Sequence, residues 1–327
     1  MGKLENQPES YSKDSNSSIL ERPDKLTVFE KSSNDLINQI IKSLKEDEVT
    51  LVKDLKPIEA NEIIYKVTEE LGLAHALEKQ ANFASMQGHR EKIGQYFMTV
   101  NKRMDYQFIP PHSEGNRSMN MHLSSFYCYE NTTDGGESIL MNVNQSSLVW
   151  KSLKEVVLKV SLGSWQPTLE ESKAIKISYG ISIPDDIVKD SDHILRTSDT
   201  HIPGVKLYHV LEKVSKVYSK ILQDNVYVYW DSMASTDYSS AKEFLQLLRA
   251  MNLLKEPEGG LSDDRLDNAI DRRLWHSGVK YIDLFSCKVT RKLHRGELII
   301  QNNLTWTHSA NNWTPGSGIR KVVGAFA

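Results

Sequence analysis

Apolar residues follow two different rhythms along this chain. Early on they recur every three or four positions: after Asn34-Asp35 come Leu36, Ile37, Ile40, Ile41 and Leu44, which predicts an amphipathic helix capped by Asn34 or Asp35. Glu59 to Gln80 repeats the pattern, with Ile63, Ile64, Val67, Leu71 and Ala74 on one face and Gly72 as the point where the helix breaks. Helices with one apolar face need a surface to cover, so both are expected to pack on the outside of a sheet. Strand rhythm takes over in Gln95 to Val100, in the aromatic-rich stretch Met119 to Tyr129, in Asn225 to Trp230, in Gly296 to Asn302 and in Lys321 to Phe326. Helical spacing returns in Tyr208 to Leu222, Tyr238 to Leu254 and Asp263 to Leu274, and Asp134-Gly135-Gly136 reads as a turn.

Composition sets the domain plan. Residues 1–25 are rich in Ser, Asn, Lys, Asp and Glu with few apolar anchors, and are expected to form a flexible arm. No Pro/Gly/Ser linker divides the rest, so 26–327 reads as one α+β domain. A net charge of -3 with both signs dispersed offers no footprint for nucleic acid. The basic run Arg291-Lys292-Leu293-His294-Arg295 reads as a turn before the last strand of the domain. No apolar stretch of about 18 residues marks a membrane span, and a cytosolic protein is expected. Cys128 and Cys287 lie in apolar or aromatic surroundings and are expected as buried, reduced thiols.

The chemistry concentrates in three places. His112 and Glu114 stand two positions apart in Ile109-Pro110-Pro111-His112-Ser113-Glu114-Gly115. On a strand, residues i and i+2 share a side, so Ser113 would face away while His112 and Glu114 converge on one ion. His308, far downstream, is the candidate third ligand. Two imidazoles and one carboxylate on one face of a metal suit oxygen-activating Fe(II). Bringing them together needs a scaffold that gathers distant strands around a cavity, as a double-stranded β-helix, or jelly-roll barrel, does. Arg320 follows His308 by twelve residues, and its planar fork suits the carboxylate of an anionic co-substrate.

With Gly135-Gly136-Glu137-Ser138 after the His-x-Glu pair, Asn303 ahead of His308 and Arg320 beyond it, residues from about 105 to 327 resemble the Fe(II)/2-oxoglutarate dioxygenases of the taurine dioxygenase and clavaminate synthase-like superfamily. The resemblance implies a jelly-roll core with flanking helices. It implies His112, Glu114 and His308 as iron ligands, and Arg320 with Ser138 as the clamp for the far carboxylate of 2-oxoglutarate, with O2 as the second co-substrate. Insertions between barrel strands build the substrate lid in that family, which assigns a helical lid to about 147–285. Glu114, where Asp is commoner, points to the amino-acid hydroxylases and peptide-tailoring members. It also fills the position that the family's halogenases leave open for chloride. Gly324 stands where taurine dioxygenase-like members place a second Arg for the substrate anion, which disfavours a small sulfonate.

The expected activity is hydroxylation, desaturation or cyclisation at a C–H bond of an amino-acid-derived or natural-product substrate, free or loaded on a carrier protein, with no nucleic acid or membrane partner. Two alternatives stay open: a catalytically silent jelly roll that binds a metal or small ligand, and a cupin-type enzyme using Zn or Mn without a co-substrate. Trp306 and Trp313 flank His308 and would wall the pocket or pack in the core; Asn116, Arg117 and Asn303 would support the site or touch substrate; His122 is expected to pack.

Overall fold

The computed structural model describes residues 19–86, 90–100, 108–115, 121–227, 238–256 and 280–327. Its centre is a pair of sheets. Eight strands run β4 (Phe97–Thr99), β5 (Ile109–His112), β6 (Leu123–Asn131), β7 (Ser138–Val143), β13 (Phe285–Arg291), β14 (Leu298–Asn302), β15 (Trp306–Ala310) and β16 (Arg320–Phe326). One sheet orders four of them β13-β7-β15-β5, and the other places β14-β6-β16-β4 side by side. From β4 to β7 the chain alternates between the sheets, and from β13 to β16 it does so again. That is the double-stranded β-helix expected of the chain. The larger sheet is extended by β3 (Lys92–Ile93) at one edge and by β2 (Val49–Lys53) and β1 (Leu26–Glu30) at the other.

Period-two alternation decides which side chains enter the space between the sheets. In β14, Ile299 joins the inter-sheet core with Phe126, Leu140, Val289 and Trp306, while Leu298 and Ile300 face the opposite way. There they meet α1 (Leu36–Lys45), α2 (Pro57–Glu70) and α3 (Ala74–Met86) through Ile40, Leu44, Ile64, Val67 and Leu77. Each such fully buried Leu or Ile contributes about 1.5–3 kcal/mol. The helices therefore cover the outside of the sheet, and Gly72, at φ +70°, makes the break between α2 and α3. Asp35 sits at the start of α1 in the left-handed region, and its side chain accepts from Asn38 Nδ2 (2.6 Å) in place of a backbone cap.

The insertion between β7 and β13 departs from a purely helical lid. Besides α4 (Leu148–Ser152), α5 (Leu169–Tyr179), α6 (Tyr238–Ala250) and α7 (Tyr281–Leu284), it carries β8 (Lys154–Ser161), β9 (His193–Asp199) and β10 (Lys206–Lys213) in one sheet, and the hairpin β11 (Lys216–Ser219) and β12 (Asp224–Tyr227). The helix expected over Tyr208 to Leu222 is thus two strands. Its three-to-four spacing was met by β-branched Val210, Val214 and Val217, which fit a pleated ladder better than a helix, and β10 pairs along its length with β8. Trp150, Phe244 and Leu248 fasten the insertion to the outer side of β7 through Ile139, Met141 and Val143.

Two smaller expectations are adjusted. The described part of the N-terminal arm is packed: Ile19 is buried, and Arg22 N–H donates to the Lys288 carbonyl at 2.8 Å. Residues 1–18 and the helix expected over 263–274 lie outside the described residues. The basic run 291–295 links β13 to β14, so it precedes the third strand from the end. Both cysteines are buried and free. Among the described residues no helix is long and apolar enough to cross a membrane.

Candidate metal centre

His308 and His112 face each other across the β15–β5 ladder as direct Cα partners, with ring centroids 4.3 Å apart. Strand pairing thus delivers the distant third residue. Glu114 arrives by another route than alternation along a strand, because β5 ends at His112 and Glu114 lies in the bend that follows, with Gly115 at φ +100°. Ser113 is buried between them. What holds the bend is Asn303, which is fully buried. Its Oδ1 accepts from Glu114 N–H (2.9 Å), and its Nδ2 donates to the Glu114 carbonyl (2.8 Å) and to Met121 O (2.9 Å).

Glu114 Oε1 ends 3.7 Å from His112 Nε2 and 3.5 Å from His308 Nε2, and the three donor atoms lie within 4.8 Å of one another. The donor set fits a metal. His308 Nε2 is buried with no hydrogen-bond partner in the structure, a costly state for a polar atom. His112 Nδ1 lies 3.0 Å from the Pro110 carbonyl; a carbonyl can only accept, so Nδ1 carries the proton and Nε2 presents its lone pair to the centre. Beside His308 Nδ1, at 3.4 Å, is the Gln301 amide, whose own Oε1 is unpartnered.

Electrostatics favour an ionised carboxylate and a neutral imidazole. Burial alone would raise the Glu114 carboxyl, but the adjacent His112 and His308 rings and the charge of Arg90 override it and hold the group well below its usual range. Burial, and then the nearby His112, push His308 from 6.5 down to about 4. The unfolded chain therefore takes up a proton between pH 6.5 and 4 that the folded, metal-free protein refuses. Stability is lost as pH falls through that window, by about 3 kcal/mol at 1.36 kcal/mol per pH unit. Urea midpoints across this range will show the loss, and His308→Gln will remove that component. Asn303→Ala will leave Glu114 N–H and two carbonyls unpaired, costing about 3 kcal/mol and weakening Mn(II) binding by about 10–100-fold, read by calorimetry.

At the far end of β16, Arg320 is largely buried. Its Nε donates to Gly136 O (3.1 Å) and its guanidinium lies 5.6 Å over the Trp313 ring. No carboxylate pairs with it among the described residues, and burial lowers its pKa to about 10. The Gly135-Gly136 turn makes room: a Cβ at Gly136 (φ +73°) would sit 2.8 Å from Arg320 Cδ, and one at Gly135 would sit 2.1 Å from the Asn312 carbonyl. Asp134 ties the opposite loop, accepting from Thr314 N–H (2.8 Å) and Ser317 Oγ (3.0 Å). Ser138 is buried at the start of β7, but no hydrogen bond joins its hydroxyl to Arg320.

Trp306 belongs to the core, with its indole N–H donating to Asp47 O (3.2 Å), whereas Trp313 stacks on Arg320. His122 is buried and outside the cluster. Asn116 and Arg117 lie outside the described residues. Sequence reasoning missed Arg90, whose Nη2 lies 3.3 Å from Glu114 Oε2. No spacing ties it to the His-x-Glu pair. It also bears on Gly324: the Phe326 ring fills the space a side chain there would need, at 2.7 Å, and the Arg90 guanidinium covers that ring at 5.4 Å.

No family model and no curated protein matches the sequence. Among solved structures, it is similar to AAD-2 in complex with Mn(II) and N-oxalylglycine, at 12% identity over 95% of this chain and 96% of that one, with a TM-score of 0.37. It is also similar to a putative alpha-ketoglutarate dependent 2,4-D dioxygenase from Burkholderia xenovorans (11% identity, 92% and 93% covered, TM-score 0.39). A third is the non-heme iron oxygenase OrfP in complex with Fe and alpha-ketoglutaric acid (8% identity, 90% and 79% covered, TM-score 0.39). Likenesses this distant carry no residue role over to this chain, and the site rests on its own geometry.

Proposed function

We propose that this protein is a non-haem Fe(II) oxygenase that uses 2-oxoglutarate as co-substrate. The observation that carries the reading is the convergence of His112, Glu114 and His308 from two paired strands and a bend, with His308 Nε2 buried and unpaired. Two neutral imidazoles and one carboxylate hold Fe(II) and leave positions for other ligands. When bound, the iron supplies the redox chemistry that couples decarboxylation of 2-oxoglutarate, to succinate and CO2, with oxidation of a C–H bond.

The chain's own part is placement. Pro110 O and Asn303 orient His112 and Glu114. Arg320, a largely buried cation awaiting an anion, takes the far carboxylate of 2-oxoglutarate, and Ser138, at the start of β7 in the facing sheet, is the hydroxyl assigned to the same carboxylate. The insertion over about 147–285, whose described helices α4 and α6 pack on the outer side of β7, is the substrate lid. The substrate class is amino-acid-derived or natural-product, free or carrier-bound, supported by the glutamate in the metal set. Anaerobic titration with Fe(II) and 2-oxoglutarate, followed by O2, tests the reading. Succinate release that requires both is expected. Metal binding without any 2-oxoglutarate binding would replace it with the cupin-type or silent alternatives.

A further inference from the structure

Arg90 is the one cation whose guanidinium reaches Glu114 among the described residues. Its use there is incomplete. The Nη2 contact to Glu114 Oε2 is 3.3 Å, long for a charge-assisted bond, which runs at about 2.7–2.9 Å. Nη1 reaches Met98 Sδ at 3.7 Å, a weak acceptor. The remaining N–H donors have no acceptor among the described residues, while the side chain stays 23% exposed beside a carboxylate that is 15% exposed. The flat face of the guanidinium rests on Phe326, which orients its plane and, among the described residues, leaves donors on its edge unpaired.

Charge points the same way. A divalent cation, the Glu114 carboxylate, the Arg90 guanidinium and one carboxylate of the co-substrate leave a positive charge over, among groups partly withdrawn from water, where charge is felt more strongly than in bulk solvent. Arg320 does not share this excess. The Phe326 ring under Arg90 lies against Gly324, four residues along β16 from Arg320, about 13 Å at roughly 3.3 Å per residue.

Resting on the metal reading above, we infer that Arg90 forms a second anion site beside the metal and receives a carboxylate of the primary substrate. The substrate is then an acid, with its oxidised carbon close to that carboxylate, and a neutral molecule of the same shape binds poorly. A small acid regains the place that Gly324 alone denied it, because the cation comes from a different part of the chain.

The test uses the full-length protein loaded with Mn(II) and 2-oxoglutarate, with acetate and its neutral analogue acetamide as probes. Paramagnetic broadening of each methyl proton signal reports binding near the metal. Acetate will broaden saturably and acetamide about tenfold more weakly or not at all. Arg90→Met will weaken acetate by about tenfold or more, the loss of a charge-assisted hydrogen bond, and Arg90→Lys will restore part of it; circular dichroism checks that both variants fold. Equal broadening by the two probes, or unchanged acetate binding in Arg90→Met, overturns the inference. So does a loss confined to 2-oxoglutarate affinity, which would assign the carboxylate to the co-substrate. So does a loss confined to Mn(II) affinity, which would make Arg90 a support for Glu114. Absence of Mn(II) binding in the wild type removes the metal reading itself and takes this inference with it.

Discussion

Replacing His308 with alanine will abolish stable Mn(II) or Fe(II) binding and all 2-oxoglutarate turnover, and His112→Ala and Glu114→Ala will do the same. The expected loss exceeds the roughly 10–100-fold typical of residues that only support a ligand, because each of the three removes one of the only fixed donors in the cluster. The residues left behind are badly placed to compensate. Without His308, the opposing His112 and Glu114 present two donors on one side, and the largely buried carboxylate is left beside a single imidazole and Arg90. His122→Ala is the discriminating control. That histidine is also buried and will cost stability when truncated, yet it lies outside the cluster, so metal affinity should persist. Calorimetric Mn(II) titration of the four variants, with urea midpoints alongside, separates a lost ligand from a lost fold. Retained metal binding in His308→Ala would sink the assignment.

Much of the core was readable because one-dimensional patterns report local periodicity. Alternation in Gly296 to Asn302 and in Lys321 to Phe326 became β14 and β16, since each strand has one face between the sheets and one under the helices. The spacing of His112, Glu114, His308 and Arg320 named the candidate site before any geometry. Local pattern failed where partners decide. Tyr208 to Leu222 carries a spacing that suits either element, and only pairing with β8 and β9 settles it. Glu114 converges on the histidines through the Asn303 clasp and not through strand alternation, so the expected geometry was right about the meeting point and wrong about its cause. Arg90 was invisible for a related reason: its place beside Glu114 and over Phe326 is a product of tertiary packing, with no motif around it.

Arg320→Met will separate function from stability. In the wild type the guanidinium is largely buried, with no carboxylate paired to it among the described residues, and burial pulls its pKa from 12.5 down to about 10. An uncompensated buried cation is a net cost to the folded protein. Methionine fills similar volume against Trp313 without that charge, at the expense of the bond to Gly136 O. The metal-free variant should therefore be no less stable than wild type, with up to about 2 kcal/mol gained, visible in the urea midpoint. Co-substrate binding moves the opposite way. Each hydrogen bond to a charged group is worth about 1.5–3 kcal/mol, so losing a two-pronged grip on a carboxylate should raise the 2-oxoglutarate Kd by about a hundredfold or more. Mn(II) affinity should hold, since Arg320 contacts none of the three candidate ligands. Arg320→Lys should not rescue, because an ammonium cannot reproduce the planar fork. Unchanged 2-oxoglutarate affinity in Arg320→Met would show that the buried cation serves the Gly135-Gly136 turn alone. The stability it costs would then have no binding function to offset it.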